Sequence, residues 1–491
     1  MKENIISSRK KTIERLKSGV DVAIIGGGIT GAGVFNILSS QQLKVALFDA
    51  NDFAFGTSSR SSKLIHGGLR YLANGQFSVV RDSVRERDFL LNFPNLVRRE
   101  DFFIPVDSNS WSKTELRLGL WLYSLFSRSI KAKWYSETEI REKFPPLGNT
   151  PQRGGFIYAE GVVDDARLVI ENILSAESRG AIAQNYSEVI GIDYDGENAK
   201  SITVKDLILN EEFQIPVKMI VNSTGPWIGK IFEHMKDKYS EISELIRQIK
   251  LSKGDHIIVK RGVLPINTAL AIRSPIDKRQ VFVIPRGEVI IIGTTEIFYN
   301  GEISNPAPSE NEINYLIESV KNYVIGISRN DVINAYSGLR PLFGSSDNLG
   351  KISREYKVVK TGNIVNILGG KITTYRTVAL KVSKMVSDSF GISGLPNIIL
   401  EYSRNSTEGD KELKEISGGD KDKEKFCKDI LYEHAYHIDD ILWRREGAFI
   451  FSSDSGLSLV EKCLDVMGNV LGYNQQELES ERRRYLDLLH K

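Results

Sequence analysis

The stretch Asp21-Val22-Ala23-Ile24-Ile25-Gly26-Gly27-Gly28-Ile29-Thr30-Gly31 decides the fold. Asp21 to Ile25 reads as a buried parallel strand, and Gly26 to Gly31 supplies G-x-G-x-x-G at the turn into a helix. Gly26 permits the tight turn, Gly28 lets backbone approach a pyrophosphate, and Gly31 lets the helix pack closely on the strand. The free amides and dipole of the helix N-terminus attract phosphate charge. A second strand, Lys44 to Phe48, ends in Asp49, 18 residues past Gly31, where a carboxylate is expected to accept a ribose hydroxyl. Strand, turn, helix, strand and acid together read as a dinucleotide-binding unit.

Working outward, the segment Thr57 to Tyr71, TSSRSSKLIHGGLRY, follows directly and is dense in hydroxyls, glycines and basic groups. In that position it has the composition of a flavin site, with Ser58, Ser62 and Lys63 as candidate cofactor contacts and isolated surface hydroxyls as the alternative.

The chain has 491 residues, enough for about three domains. Hydrophobic residues make up 41%, charged ones 26%, and the formal net charge is +2. Disorder and a globally nucleic-acid-seeking surface are both excluded by that balance, so no nucleic-acid partner is expected. Cys427 and Cys463 lack metal-ligand spacing, so neither a disulfide framework nor a metal site is expected. The first 19 residues are basic without the apolar core of a secretory signal, and no run of 18 apolar residues exists to span a bilayer.

Phe77 to Phe93 reads as an amphipathic helix stopped by Pro94. Thr114 to Tyr135 mixes leucines and Trp121 with Arg117, Arg128, Lys131 and Lys133, the composition of a helix lying in lipid headgroups. A buried helix with a basic tail fits the same residues, and both readings stand. Between Leu251 and Glu296 short β-rich runs separated by Pro, Gly or charges predict an antiparallel sheet, the expected substrate layer. Ile364 to Leu368 predicts another buried strand, followed by Gly369-Gly370 and a helix to about Phe390. Residues 404–425 are polar and predict a linker; the remainder reads as helical.

Across Asp21 to about Arg376 the chain resembles the FAD-dependent glycerol-3-phosphate dehydrogenases, within the flavoproteins that include the D-amino-acid oxidases. The resemblance is carried by GGGITGAG, GTSSRSSKLIHGGLRYL, GVVDDARL at 161–168, NSTGPW at 222–227, SKGDHIIV at 252–259, IIGTTE at 291–296, SGLRPL at 337–342 and GGKITTYR at 369–376. Ser223 stands where that family commonly has Ala, and the region after residue 400 is shorter than in long members. No large insertion of the kind found in oxygen-using glycerophosphate oxidases is present.

The resemblance implies an α/β fold: a Rossmann-like FAD-binding domain (18–95, 150–230 and 340–400), an antiparallel β-sheet substrate domain (96–149 and 231–339, with 114–135 facing the membrane) and a small C-terminal helical domain (404–491). It implies Gly26, Gly28, Thr30, Gly31, Asp49, Thr57, Ser58, Ser62, Lys63, His66, Gly67, Gly225, Gly370, Lys371 and Thr373 around non-covalent FAD. Arg70, Tyr71, His256, Arg340 and Lys371 would hold sn-glycerol 3-phosphate, a set suited to a phosphate dianion because it joins guanidinium, ammonium and hydroxyl donors. His256, Arg340 and Lys371 form the implied catalytic group. His256 has the ordinary pKa nearest neutrality, about 6.5, and is the candidate base, with simple substrate hydrogen bonding as the alternative. Arg340 would stabilise the alkoxide, and Lys371 would serve in either role. The N-terminus of the helix near Thr373 would stabilise charge on the reduced flavin, unless Gly369-Gly370 is only a tight connection. A membrane quinone is the implied acceptor, with an anionic membrane surface as partner and a peripheral location on the inner face of the cytoplasmic membrane. An oxygen-reducing oxidase and a non-catalytic flavin sensor remain as other readings, and a homodimer is one oligomeric state left open.

Overall fold

A computed structural model describes residues 2–69, 76–107, 112–127, 132–143, 153–233, 240–264, 267–343, 356–394, 398–400 and 411–489. The Val20–Ile25 strand lies inside a sheet of eight strands among the described residues, flanked in parallel by Val45–Phe48 on one side and Glu211–Asn222 on the other. Val22 and Ile24 enter one hydrophobic core while Ala23 and Ile25 enter the opposite one, so both faces of the strand are covered, as a parallel sheet requires. Ile364–Leu368 extends the parallel run beyond Glu211–Asn222. The helices Ile29–Leu38, Asp165–Glu177 and Tyr375–Ser389 cover one face through apolar stripes such as Val34, Ile170 and Val382.

Among the described residues ten strands form the second sheet. Ile249–Lys260 pairs antiparallel with both Val289–Gly293 and Val332–Phe343, and Gln280–Arg286 and Ala269–Arg273 continue outward. Alternation in Ile249–Lys260 sends Ile257 and Val259 towards the helix Glu310–Val320, and Ile258 towards the C-terminal helices. The strand Gly155–Val163, grouped with the nucleotide unit from sequence, pairs in this sheet with Val97–Pro105.

Two expectations need correction. The 114–135 segment is not one helix: Lys113–Phe126 is helical, capped by Ser112 with Glu115, and Lys133–Tyr135 is a strand paired with Gly155–Ile157. Within the expected linker 404–425, Lys411–Ser417 is a helix with Leu413 buried, and the first turn of the helix Lys421–Tyr432 begins before the linker's end. Polar composition misled there, because one apolar residue per turn suffices to dock a short helix. Among the described residues no helix is long and apolar enough to cross a membrane.

Candidate active site

Where the Val20–Ile25 strand ends, Gly26 takes φ +104, and a side chain there would meet the Ser223 carbonyl at 2.7 Å. At Gly31 a Cβ would stand 2.0 Å from the Gly26 oxygen, so only glycine lets the helix approach this closely. Ser223 Oγ lies 2.9 Å from the Ile25 carbonyl oxygen and 3.0 Å from that of Gly26, bracing the turn. Gly28 begins the Ile29–Leu38 helix without a side-chain cap, and Ser58 Oγ accepts the Ile29 amide at 2.9 Å. Asp49 accepts the amides of Gly27 at 2.7 Å and Asn51 at 2.9 Å. Burial raises its carboxyl to about 7 against the lowering effect of those amides.

From this turn a cavity of about 340 Å³ runs to the second sheet. Its wall includes Asp49, Asn51, Glu188, Gly26, Gly28, Thr30, Ser58 and Gly225, and also Ser62, His66, Arg340, Gly370, Lys371 and Thr373. Thr57 also lines the wall and donates to the Leu339 carbonyl at 2.5 Å. Thr373 Oγ1 accepts the His66 amide at 3.4 Å. The turn Ile372–Thr374 leads into Tyr375–Ser389 with no side-chain cap at Lys371 or Thr374, so a second helix N-terminus faces the cavity.

The second sheet contributes Arg340 and His256 through gaps left by glycine. At Gly254 a Cβ would fall 2.2 Å from Arg340 Nη2, and at Gly293 a Cβ would fall 2.2 Å from His256 Cδ2. Arg340 donates to Thr294 Oγ1 at 3.0 Å. His256 is buried behind the wall: its Nε2 lies 2.8 Å from Ser62 Oγ and its ring stacks on Tyr336 at 4.8 Å. Its Nδ1 has no hydrogen-bond partner among the described residues. Burial first, then Arg340 and Lys63, pushes its pKa well below 6.5, so it is neutral at neutral pH. The expectation of an ionisation near neutrality is therefore corrected. Strand-interior glycines were the missed signal, because Gly weakens a strand unless something must pass close to it.

Other expected residues stand elsewhere. The Lys63 ammonium is buried against Asp165 Oδ1 at 2.5 Å and the Ser59 carbonyl at 2.6 Å, which makes it a brace for the loop. Gly67 donates its amide to Glu160 at 3.1 Å, and a Cβ there would collide with Tyr123. Glu160 in turn pairs with the fully buried Arg87 at 2.8 Å. Arg70 and Tyr71 lie outside the described residues. On the Lys113–Phe126 helix, Leu116, Leu120 and Tyr123 are buried, while Leu118, Trp121 and Leu125 are exposed.

The donor set fits a dinucleotide carrying a redox ring: glycine amides for a pyrophosphate, an acid for a ribose, and Arg340 and Lys371 as cations in the same wall. Fold and site together define a dinucleotide-binding oxidoreductase. A family model for FAD-dependent oxidoreductases matches residues 21–373, and the chain belongs to that family, with FAD as its cofactor. Within it the chain groups with the glycerol-3-phosphate dehydrogenases: it is 31% identical to an aerobic glycerol-3-phosphate dehydrogenase of Staphylococcus saprophyticus, over 94% of this chain and 92% of the relative. Its fold is similar to that of a glycerol-3-phosphate dehydrogenase from Bacillus halodurans complexed with FAD (TM-score 0.78, 24% identity, 98% of this chain and 97% of the other). It is also similar to that of an L-α-glycerophosphate oxidase from Mycoplasma pneumoniae with FAD bound (TM-score 0.59, 16% identity, 77% and 96%).

Proposed function

We propose that this chain oxidises sn-glycerol 3-phosphate to dihydroxyacetone phosphate and passes the electrons to a membrane quinone. The observation that carries the reading is that Arg340, Lys371 and Ser62 share the wall of one cavity, with His256 directly behind Ser62. Arginine and lysine there suit a phosphate and a developing alkoxide, since a fork of N–H donors and a point charge bind such oxygens strongly. FAD, when bound, supplies the hydride-accepting chemistry. Neutral His256 takes the proton released from the substrate hydroxyl, a role open to it because its Nε2 accepts when its own proton sits on Nδ1. Ser62 keeps that nitrogen aimed at the cavity wall. Arg70 and Tyr71 complete the substrate set.

Quinone as acceptor and a peripheral position on an anionic membrane rest on the exposed stripe Leu118, Trp121 and Leu125 beside Lys113 and Arg117. Anaerobic addition of glycerol 3-phosphate should bleach the flavin spectrum. Absence of bleaching would remove the substrate assignment. Stoichiometric peroxide in air, with no reduction of a short-chain quinone, would make the chain an oxidase instead.

A further inference from the structure

The FAD-dependent oxidoreductase match ends at residue 373, yet the helices from Lys411 to Leu489 reach back to the loop that follows Asp49. Their contact is a buried ion cluster. The π-helical turn Asp440–Arg445 carries Arg444 and Arg445, both fully buried. Arg445 donates to both oxygens of Asp52, at 2.7 and 2.8 Å, and Arg444 Nε donates to Asp52 Oδ2 at 2.6 Å. Asn185 adds a fourth hydrogen bond to Asp52 at 2.9 Å and donates to the His434 carbonyl at 2.7 Å.

Asp52 lies on the loop that leaves Asp49. Two residues on, the Ala54 amide donates to the Gly27 carbonyl at 3.0 Å, while the Gly27 amide is held by Asp49. The loop and the glycine turn therefore fix each other through both groups of Gly27, and the arginine pair fixes the loop. Phe53 fills the space beside Gly27, where a Cβ would meet its ring at 2.7 Å. Further along, the Arg60 guanidinium lies over Trp443 at 4.7 Å and Phe55 at 5.6 Å, and both Arg60 and Phe55 line the cavity.

We infer that the C-terminal helical unit is a cofactor-retention clamp, in which Arg444 and Arg445 act through Asp52 to hold the glycine turn and Asp49 in the geometry that binds the nucleotide half of FAD. These are positioning residues, since neither arginine nor Asp52 lines the cavity. A bidentate guanidinium is suited to this because it fixes a carboxylate in orientation as well as distance. Burial works to raise the Asp52 pKa, and the two guanidiniums overcome it and hold the carboxylate below its usual range. The clamp thus stays charged across the physiological range. The inference rests on FAD alone and is independent of substrate and acceptor.

The test uses the full-length protein stripped of FAD, with flavin fluorescence quenching to measure the Kd for FAD and competition to measure that for ADP. Arg445→Met should weaken both ligands at least tenfold, and saturating FAD should restore turnover. Lys253→Met breaks a part-buried pair with Glu312 on the far side of the second sheet, 2.8 Å in length, and should leave both constants at the parent value. If Arg445→Met does not fold, Arg445→Lys, which keeps the charge and loses the fork, is read in its place with at least threefold weakening expected. FAD and ADP constants within twofold of the parent in the arginine variant, or equal weakening in the Lys253 variant, would overturn the clamp.

Discussion

His256 Nε2 sits 2.8 Å from Ser62 Oγ, and of these two residues it is Ser62 that forms the cavity wall. A proton leaving the substrate therefore meets the serine hydroxyl before the imidazole. His256→Gln should slow anaerobic flavin reduction by about 10²- to 10⁴-fold, the range for loss of a general base. Because burial, Arg340 and Lys63 keep the parent histidine neutral to well below pH 6.5, the parent rate should be flat through neutrality and fall only in acid. Stopped-flow reduction across pH measures this; a bend near pH 7 that His256→Gln leaves in place would assign the titration to another group.

Gly254→Ala should act as a lesion of Arg340, whose Nη2 stands 2.2 Å from the new Cβ. Displacing one charged hydrogen bond costs about 1.5–3 kcal/mol, so kcat/KM for glycerol 3-phosphate should fall roughly 10- to 100-fold while FAD content stays at the parent level. Steady-state kinetics with flavin quantitation decides it. Unchanged kinetics would mean that Arg340 has no part in substrate binding.

FAD affinity should rise as pH rises through about 7. Asp49 is protonated below that value, and only the ionised carboxylate is a full acceptor for a ribose hydroxyl. The linkage runs opposite for folding: a raised carboxyl pKa favours the folded apoprotein in acid, and that contribution is lost as pH climbs from about 4 through about 7. Calorimetric titration of apoprotein with FAD between pH 5.5 and about 8.5 tests the sign, and Asp49→Asn should flatten the curve.

Lys63→Met should destabilise the holoprotein by about 3–5 kcal/mol, since it leaves Asp165 buried without its cation. Urea unfolding measures the loss. A change below about 1 kcal/mol would place the ammonium in a weaker role than its 2.5 Å contact indicates.

Vesicle binding isolates the surface stripe. Trp121→Ser with Leu125→Ser removes two side chains exposed at 57% and 63%, and should reduce sedimentation with anionic vesicles to a weak remnant lost at moderate salt, without lowering flavin reduction in solution. Each basic residue near such a surface adds roughly 1 kcal/mol, so the basic flank alone should leave weak binding at low salt. Equal sedimentation of parent and variant would show that this helix does not meet lipid.

What the sequence by itself determined was local and covalently near: Gly26, Gly28 and Gly31 between a Val-Ile strand and a helix, with Asp49 at the next strand end, need no distant partner to state their geometry. The strands of the second sheet between Leu251 and Glu296 were legible for the same reason, since turn residues are written along the chain, whereas Lys133–Tyr135, read as part of a helix, was not. Tertiary structure alone decided which side chains share a wall. His256 and Ser62 are 194 residues apart, Lys63 turned to Asp165, and Asp52 met Arg444 and Arg445 across nearly the whole chain. Such pairings leave no periodicity to read. They arise because a buried charge is costly until another charge, wherever it lies in sequence, is folded against it.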